Sequence, residues 1–501
     1  MTDHPLGRRI ALVLDLEPGE RALEFDGHWF SWGQLATTAR RLGSLVEQYG
    51  GGKGIQVGIL LRNRPAHVAA FLGVLLSGSC VVAINPSRGD DRTAADISSL
   101  HLPMIIGEPD DVGNLVTTSP ATTVLSIRSL DAARVIAVGN RNAHTAADRP
   151  GVAVRMLTSG TTGPPKRVDL SYDMLARSVM GPDPGQAAPP TELRRGIAIV
   201  SAPLVHIGGV FRVLQCVTEA RPFVLLERFE LDKWAAAVRT YRPRAVSLVP
   251  AALRMVLHSD LPRADLASIR AVTSGTAPLS ADDADAFTAR YGIPVLTSYA
   301  ATEFGGGVAG WTLADHQRYW RAKRGSVGRA TPGAQLRVVD EAGTPLRPNQ
   351  PGLLEVKPGQ RYPSADWIRT ADLARIDEDG FLWILGRADQ AIIRGGFKIL
   401  PDDVRSALES HPAVRAAAVV GRPDDRLGET PVAMVELRDT KSAQPAELLE
   451  YLRRRLAGYE LPTDIAIVDA IPTTPSGKPE LSAIRRHFSG AVGAARGEHD
   501  R

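Results

Sequence analysis

Apolar residues recur at helical spacing through residues 31–49 and then give way to a short continuous run, QVGILL, at 56–61. A second helical stretch at 65–76 leads to CVVAIN at 80–85, which stops at Pro86. Short apolar runs bounded by turn residues read as buried strands, and a period of 3.6 reads as helix. The alternation predicts βαβ units and a doubly wound sheet. The rhythm returns at GIAIVSA (196–202), RPFVLL (221–226), AVSLVP (245–250), IRAVTSG (269–275) and IPVLTSY (293–299). Residues 109–150 are rich in Asp, Thr, Ala and Asn with weak periodicity, and are expected to wander over the surface. Residues 181–195, GPDPGQAAPPTELRR, read as an exposed loop.

From 324 to 385 the pattern changes to short strands, QLRVVD, GLLEVK and FLWILG, separated by turns such as DEDG. That predicts a small β-rich subdomain at about 324–388. Near Asp389 a further α+β unit begins, with a helix at 402–410, strands RAAAVVG and VAMVEL, a helix at 446–456 and a strand DIAIVDA. A chain of 501 residues exceeds what a single core holds, roughly 250–300 residues. The expected class is α/β: a large N-terminal domain of doubly wound sheets over 1–388, the β-rich subdomain included, and a small α+β C-terminal domain over 389–501.

Composition narrows the function. Hydrophobic residues are 44% and charged residues 23%, as in ordinary globular proteins. The formal net charge of +4 comes without a concentrated patch, which argues against nucleic acid. The run from Arg453 to Arg455 reads as a solvated helix face. Cys80 and Cys216 sit in apolar surroundings, make neither a disulfide framework nor a zinc cluster, and suit a reducing cytoplasm. After Arg8 and Arg9 the run IALVLDL imitates a secretory signal, but it stops at Asp15 with no small-residue cleavage site. The apolar stretch 68–84 is broken by Ser77, Gly78 and Ser79, so it reads as helix, turn and strand and not as a transmembrane segment.

The most informative stretch is MLTSGTTGPPK at 156–166. It follows a strand-like run and sets Thr158, Ser159, Thr161 and Thr162 around Gly160 and Gly163, ending in Lys166. Small residues let backbone N–H groups approach phosphate oxygens, hydroxyls add hydrogen bonds, and a lysine offsets charge. A polar surface turn is the plainer alternative. The Walker A spacing is absent, since Arg167 follows Lys166.

TSGTTGPPK is similar to the signature loop of the adenylate-forming superfamily, which comprises acyl-coenzyme A synthetases, nonribosomal adenylation domains and luciferases. The resemblance continues in order from about Leu23 to Phe488. It implies a phosphate loop at Thr158, Ser159, Gly160, Thr161, Thr162, Gly163 and Lys166. PLVHIGG (203–209) resembles the stretch beside the acyl pocket, with His206 as a wall and Gly208 and Gly209 leaving space. TSGTAPLS (273–280) resembles the adenine turn, with Gly275, Thr276 and Ala277 offering backbone; by itself it is a strand-to-helix turn capped by Ser280. SYAATEFGG (298–306) implies Tyr299 stacking on adenine, Thr302 touching phosphate and Glu303 holding magnesium. WIRTADL (367–373) and GRADQ (386–390) imply Asp372 and Arg387 on the ribose and Asp389 as the hinge of a mobile C-terminal domain. Gly395 and Gly396 would meet coenzyme A, and IPTTPSGKPEL (471–481) makes Lys478 the catalytic lysine.

The implied activity is ATP- and Mg2+-dependent conversion of a carboxylic acid to acyl-AMP, with pyrophosphate released, then thioesterification to coenzyme A. A fatty acid is the leading expectation. The alternatives are an acyl-AMP ligase loading a carrier protein and a non-catalytic nucleotide- or acyl-binding relative. Partners are the acid, ATP and coenzyme A, with a homodimer left open. Departures from the family pattern are Arg167 in place of a glycine, which would add phosphate affinity or face solvent, Ala371 in place of a glycine, a shortened segment between Val356 and Trp367, and Pro479.

Overall fold

The computed structural model describes residues 3–50, 53–87, 90–117, 119–130, 133–139, 148–158, 166–359, 366–394, 397–424, 426–438, 442–474 and 477–495. Five sheets organise them. The largest has seven strands, in the order Ala133–Ala137, Thr123–Ile127, Met104–Gly107, Gln56–Leu60, Cys80–Ile84, Val152–Thr158 and Lys166–Ser171. Its inner pairings are parallel and its two outermost are antiparallel. The strands Gln56–Leu60 and Cys80–Ile84 are buried along their whole length, which is why they lack alternation. Between them runs the helix Pro65–Leu76, all of whose residues are buried.

That helix packs on the helix Trp32–Gly50 with backbone against backbone. A Cβ at Gly73 would lie 2.4 Å from the Ala39 carbonyl oxygen, so only glycine permits the crossing. The helix Trp32–Gly50 opens with a reciprocal cap: Gln34 N donates to Ser31 Oγ at 3.2 Å, and Ser31 N donates to Gln34 Oε1 at 2.9 Å. The run after Arg8 and Arg9 belongs to an N-terminal helix, Pro5–Leu16, whose Leu6, Ile10, Val13 and Leu14 enter the same core.

A five-stranded sheet follows, ordered Ala245–Ser247, Ala271–Ser274, Val295–Ala301, Gly306–Gly310 and Arg329–Ala330. A four-stranded sheet joins Ala198–Val200 and Phe223–Leu225 to the N-terminal hairpin Arg21–Phe25 and His28–Ser31. The expected β-rich subdomain is an antiparallel sheet of Gln335–Val339, Gly352–Lys357, Ile368–Ile376 and Leu382–Arg387. The last sheet gathers Ile392–Arg394, Phe397–Ile399, Val414–Asp424, Gly428–Leu437 and Asp464–Val468, and carries the helices Pro401–Glu409, Pro445–Arg453 and Leu481–Ala495. The class is α/β, as expected.

One expectation fails. Within residues 109–150, which were to wander over the surface, lie the helix Pro109–Leu115 and two strands of the main sheet; Val124, Leu125 and Ile127 are core residues. These elements are short and the last strand is an edge, so neither accumulates a period long enough to read. Residues 181–195 carry no helix or strand, and Arg453, Arg454 and Arg455 are exposed, as expected. Cys80 and Cys216 are free and buried. Among the described residues no helix is long and apolar enough to cross a membrane.

His67 is fully buried in the helix Pro65–Leu76, and neither ring nitrogen has a partner among the described residues. Burial lowers its pKa from 6.5 to about 3, with Arg64 and Arg62 adding to the shift and Asp111 opposing it. The unfolded chain therefore binds a proton that the folded chain refuses. Stability from this group is complete above about pH 6.5 and is lost progressively as pH falls toward 3. His67→Leu should flatten that slope. Urea midpoints of both proteins between pH 7.5 and 4.5 test this; parallel pH profiles would exclude His67 as the source.

Candidate functional site

Tyr299 stands near the end of the strand Val295–Ala301, where the chain turns through the short 3-10 segment Thr302–Phe304 and Gly305, whose φ is +75°. Its hydroxyl donates to Asp372 Oδ2, and its ring packs against Phe304 with centroids 5.9 Å apart. Asp372 and Arg387 are cross-strand partners in the antiparallel sheet. Arg387 Nη1 lies 3.7 Å from Asp372 Oδ1. The same guanidinium grips Asp389 with two bonds, Nε to Oδ1 at 2.8 Å and Nη2 to Oδ2 at 2.5 Å.

Asp372 is only 14% exposed. Burial pushes its pKa up, while the Tyr299 hydroxyl, Arg387 and Lys478 pull it down. The Tyr299 phenol is in turn pushed well above its ordinary range, first by burial and then by the Asp372 charge. One Asp372 oxygen is taken by Tyr299, and the other is held only loosely by Arg387.

Lys478 arrives from the far end of the chain. Its loop closes on itself: Thr474 N donates to Lys478 O at 2.7 Å, Gly477 N to Thr474 O at 2.8 Å, and Thr473 bridges Pro479. Gly477 has φ +76°, the left-handed turn conformation that glycine adopts without strain. Part of the lysine stays open to solvent, yet removal from water and the Arg387 charge lower its pKa, opposed by Glu303 and Asp372. Its charge also reaches His206, whose pKa is lowered first by burial and then by Lys478, leaving a neutral imidazole at pH 7. His206 is the N-cap of the helix Ile207–Thr218, and its Nε2 is buried without a partner among the described residues.

The cleft thus unites Tyr299, Asp372, Arg387, Lys478, Glu303 and His206. Thr302 opens the 3-10 turn beside Glu303. Gly275, Thr276 and Ala277 follow the strand Ala271–Ser274, and a Cβ at Gly275 would lie 2.7 Å from Ser298 Oγ, next to Tyr299. Thr276, an exposed residue, takes φ +72°, a conformation that costs a β-branched residue about 1–2 kcal/mol. Ser280 caps the next helix, accepting from Asp283 N at 3.0 Å. Glu303 is exposed, with no hydrogen bond or ion pair among the described residues. Such a carboxylate suits a hydrated hard cation that needs only one or two protein oxygens. No cluster of three or more His, Cys, Asp or Glu able to hold a metal occurs among the described residues.

Ser159, Gly160, Thr161, Thr162 and Gly163 lie outside the described residues, as do Gly395 and Gly396. Thr158 and Lys166 are paired in register at the end of an antiparallel pair of strands, on either side of residues 159–165 in the sequence. Two expectations change. Arg167 neither faces solvent nor reaches outward: it is 8% exposed, donates to Asp96 Oδ2 at 2.6 Å and to Ala83 O at 3.3 Å. Gly209 does not open a pocket, because a Cβ there would lie 2.2 Å from Pro203 O; its smallness serves close packing. Gly208 does leave space, with only Ala202 Cβ at 3.9 Å. Arg212, on the same helix, matches no motif; its one signal in the sequence is a lone cation in the apolar run IGGVFRVLQCVT.

A sequence model of AMP-binding enzymes matches residues 13–360, and one of the AMP-binding enzyme C-terminal domain matches residues 403–478. The chain is similar to 4-coumarate–CoA ligase 5 of Oryza sativa subsp. japonica, 29% identical over 93% of this chain and 91% of that protein. It is 28% identical to indoleacetate–CoA ligase of Aromatoleum aromaticum, over 94% of this chain and 96% of the other. The crystal structure of ATP-bound MatB from Rhodopseudomonas palustris superposes with a TM-score of 0.81 at 25% identity, covering 96% of this chain and 99% of that one.

Asp372→Ala should weaken ATP binding by roughly 10- to 100-fold, the scale of hydrogen bonds to a charged group. Calorimetric titration with ATP tests it, and an unchanged affinity in a folded variant would remove Asp372 from the nucleotide site.

Proposed function

Since the chain belongs to the AMP-binding enzyme family and is an acid–thiol ligase of the AMP-forming kind, we propose that it activates a compact carboxylic acid in the cleft of Tyr299, Asp372, Arg387 and Lys478 and passes the acyl group to coenzyme A. The observation that carries this reading is the joining of Tyr299, Asp372 and Arg387 from separate sheets, with Lys478 near enough for its charge to act on Asp372. An acid oxygen forms the bond to the α-phosphorus of ATP while the bond to pyrophosphate breaks, and pyrophosphate leaves with the electron pair. The thiol sulfur of coenzyme A then bonds to the acyl carbon, AMP leaves with its pair, and the thiol proton is released.

Two anions must approach in the first step, and the Lys478 ammonium offsets their repulsion. Asp372 and Arg387 hold the ribose, Tyr299 and the 275–277 turn hold adenine, and Thr302 with the 158–166 loop holds the phosphates. Glu303 would hold magnesium, whose charge would help neutralise the phosphates. The units 1–388 and 389–501 exchange orientation about Asp389, so that Lys478 gives way to the 395–396 loop for thiol transfer. The Arg387–Asp389 clamp supports a pivot there.

The acid is compact and of aromatic size, in place of the fatty acid the sequence favoured. The relatives named above act on coumarate and indoleacetate. Arg212, six residues beyond His206, would also oppose a long alkyl tail.

A pyrophosphate-release screen over short, medium and long fatty acids and aromatic acids tests the reading. Aromatic acids should lead, and acyl-coenzyme A should form only with coenzyme A present. Faster turnover of long fatty acids would overturn the acid class, and no release with any acid would overturn the activity. Lys478→Ala should abolish pyrophosphate release yet spare transfer from a supplied acyl-adenylate; equal loss of both would contradict the division of labour. Asp389→Pro should separate the two half-reactions by orders of magnitude, with Asp389→Ala as the control for the lost clamp. Full turnover by a folded Asp389→Pro protein would exclude a pivot there.

A further inference from the structure

The helix Ile207–Thr218 is apolar along most of its length, but Gly208, Arg212, Gln215 and Glu219 follow one another at helical spacing on one face. Gly208 stands one turn before Arg212, whose guanidinium turns to Gln215 and Thr273 and does not come within 4 Å of a Cβ built at Gly208. Gly208 has no side chain to fill the space beside it, and an added Cβ would meet only Ala202 Cβ, at 3.9 Å. The helix face beside Gly208, one turn before Arg212, is therefore open.

Arg212 itself has only neutral partners. Its Nη2 donates to Thr273 Oγ1 at 3.0 Å and its Nη1 to Gln215 Oε1 at 3.0 Å. Thr273 lies in the strand Ala271–Ser274, which ends at the 275–277 turn. Glu219 lies one turn beyond Gln215, but its carboxylate serves Arg221 at 3.2 Å, Arg194 at 3.4 Å and the Gln215 amide at 3.1 Å. Among the described residues no carboxylate lies within ion-pair distance of Arg212. Other sheltered arginines are treated differently: Arg62 holds Asp111 at 2.6 Å, Arg167 holds Asp96 at 2.6 Å, and Arg405 holds both Asp402 and Glu409. Withdrawal from water lowers the Arg212 pKa, yet a guanidinium remains charged at any physiological pH. A sheltered cation whose direct partners are neutral, with Glu219 acting only from a distance, carries a desolvation cost that is only partly offset. Its intermediate exposure leaves it reachable by a ligand.

We propose that Arg212 forms the far wall of the acid site and selects acids that carry a second carboxylate, remote from the carboxyl group that is adenylated. This rests on the reading that His206 borders the acid. Six residues of helix separate the two positions by roughly 9 Å along the axis, the span of an aromatic or medium-length diacid. Arg212 offers the second carboxylate a planar pair of donors, while Thr273 and Gln215 fix the plane of the guanidinium. Because this contact is far from the reacting carbon, it acts mainly on substrate binding.

The test compares two matched pairs in the pyrophosphate-release assay: cinnamate with 4-carboxycinnamate, and hexanoate with adipate. The native enzyme should show the higher kcat/KM for the diacid in at least one pair. In Arg212→Met the diacid-to-monoacid ratio should fall roughly 10- to 100-fold, mostly through KM, with the monoacid improved. Arg212→Lys should recover part of the preference, and Thr273→Val should weaken it without removing the charge. These two keep the test open should Arg212→Met fail to fold. Preference for the monoacid in both pairs, or a ratio unmoved by Arg212→Met and Thr273→Val, overturns the proposal. Pyrophosphate release without diacid preference sinks only the role of Arg212, whereas no release with any acid sinks the acid-activation reading beneath it.

Discussion

A carboxylate withdrawn from water has to be held by donors, and the cleft is arranged around that requirement at Asp372. Its donors come from separate places: the Tyr299 hydroxyl from the five-stranded sheet, the Arg387 guanidinium from the neighbouring strand, and the Lys478 charge from the C-terminal unit. No one of these elements can build the site alone. The Tyr299 contact requires the antiparallel sheet to sit against the end of the strand Val295–Ala301, and the Lys478 contact requires the last loop to reach back to both. The buried carboxylate thus ties the geometry of the cleft to the packing of several layers.

Charge in the cleft is shared among several groups. Arg387 divides its guanidinium between Asp372 and Asp389, while Lys478 has its pKa lowered by burial and by that same arginine. Glu303, Asp372 and Asp389 set three carboxylates beside these two cations. An arrangement of cations fixed in place before a polyanion arrives stabilises charge without having to reorganise, which is the electrostatic condition for joining an acid to a phosphate. Asp389 ties Arg387 to the short segment that leads into the last sheet.

The helix Ile207–Thr218 shows how packing and recognition share one element. Gly209 is small because Pro203 lies against it, and Gly208 is small where nothing but Ala202 approaches. Adjacent glycines in PLVHIGG thus do different work. His206, held neutral, caps the start of this helix and the charged Arg212 lies further along it, so the two bring different chemistry to one element.

Local physics made much of this protein legible in its residues. Fully buried parallel strands show as unbroken apolar runs, so Gln56–Leu60 and Cys80–Ile84 declared themselves, as did the helices around them and the switch to short antiparallel strands near residue 335. The family to which the chain belongs was likewise legible, in the ordered run of motifs from TSGTTGPPK to IPTTPSGKPEL. Tertiary structure decided the rest. The strand Thr123–Ile127 is inside because its neighbours cover it, not because it has a period. Arg167 looked like a phosphate ligand or a solvated cation until Asp96, 71 residues away, was found to hold it. Arg212 is distinguished by having Gln215 and Thr273 but no carboxylate as partners among the described residues, which no string of residues records. Periodicity and turn chemistry are short-range and survive in the sequence, whereas ion pairing, burial of charge and the space beside a glycine depend on which distant segments meet, and only the folded chain brings them together.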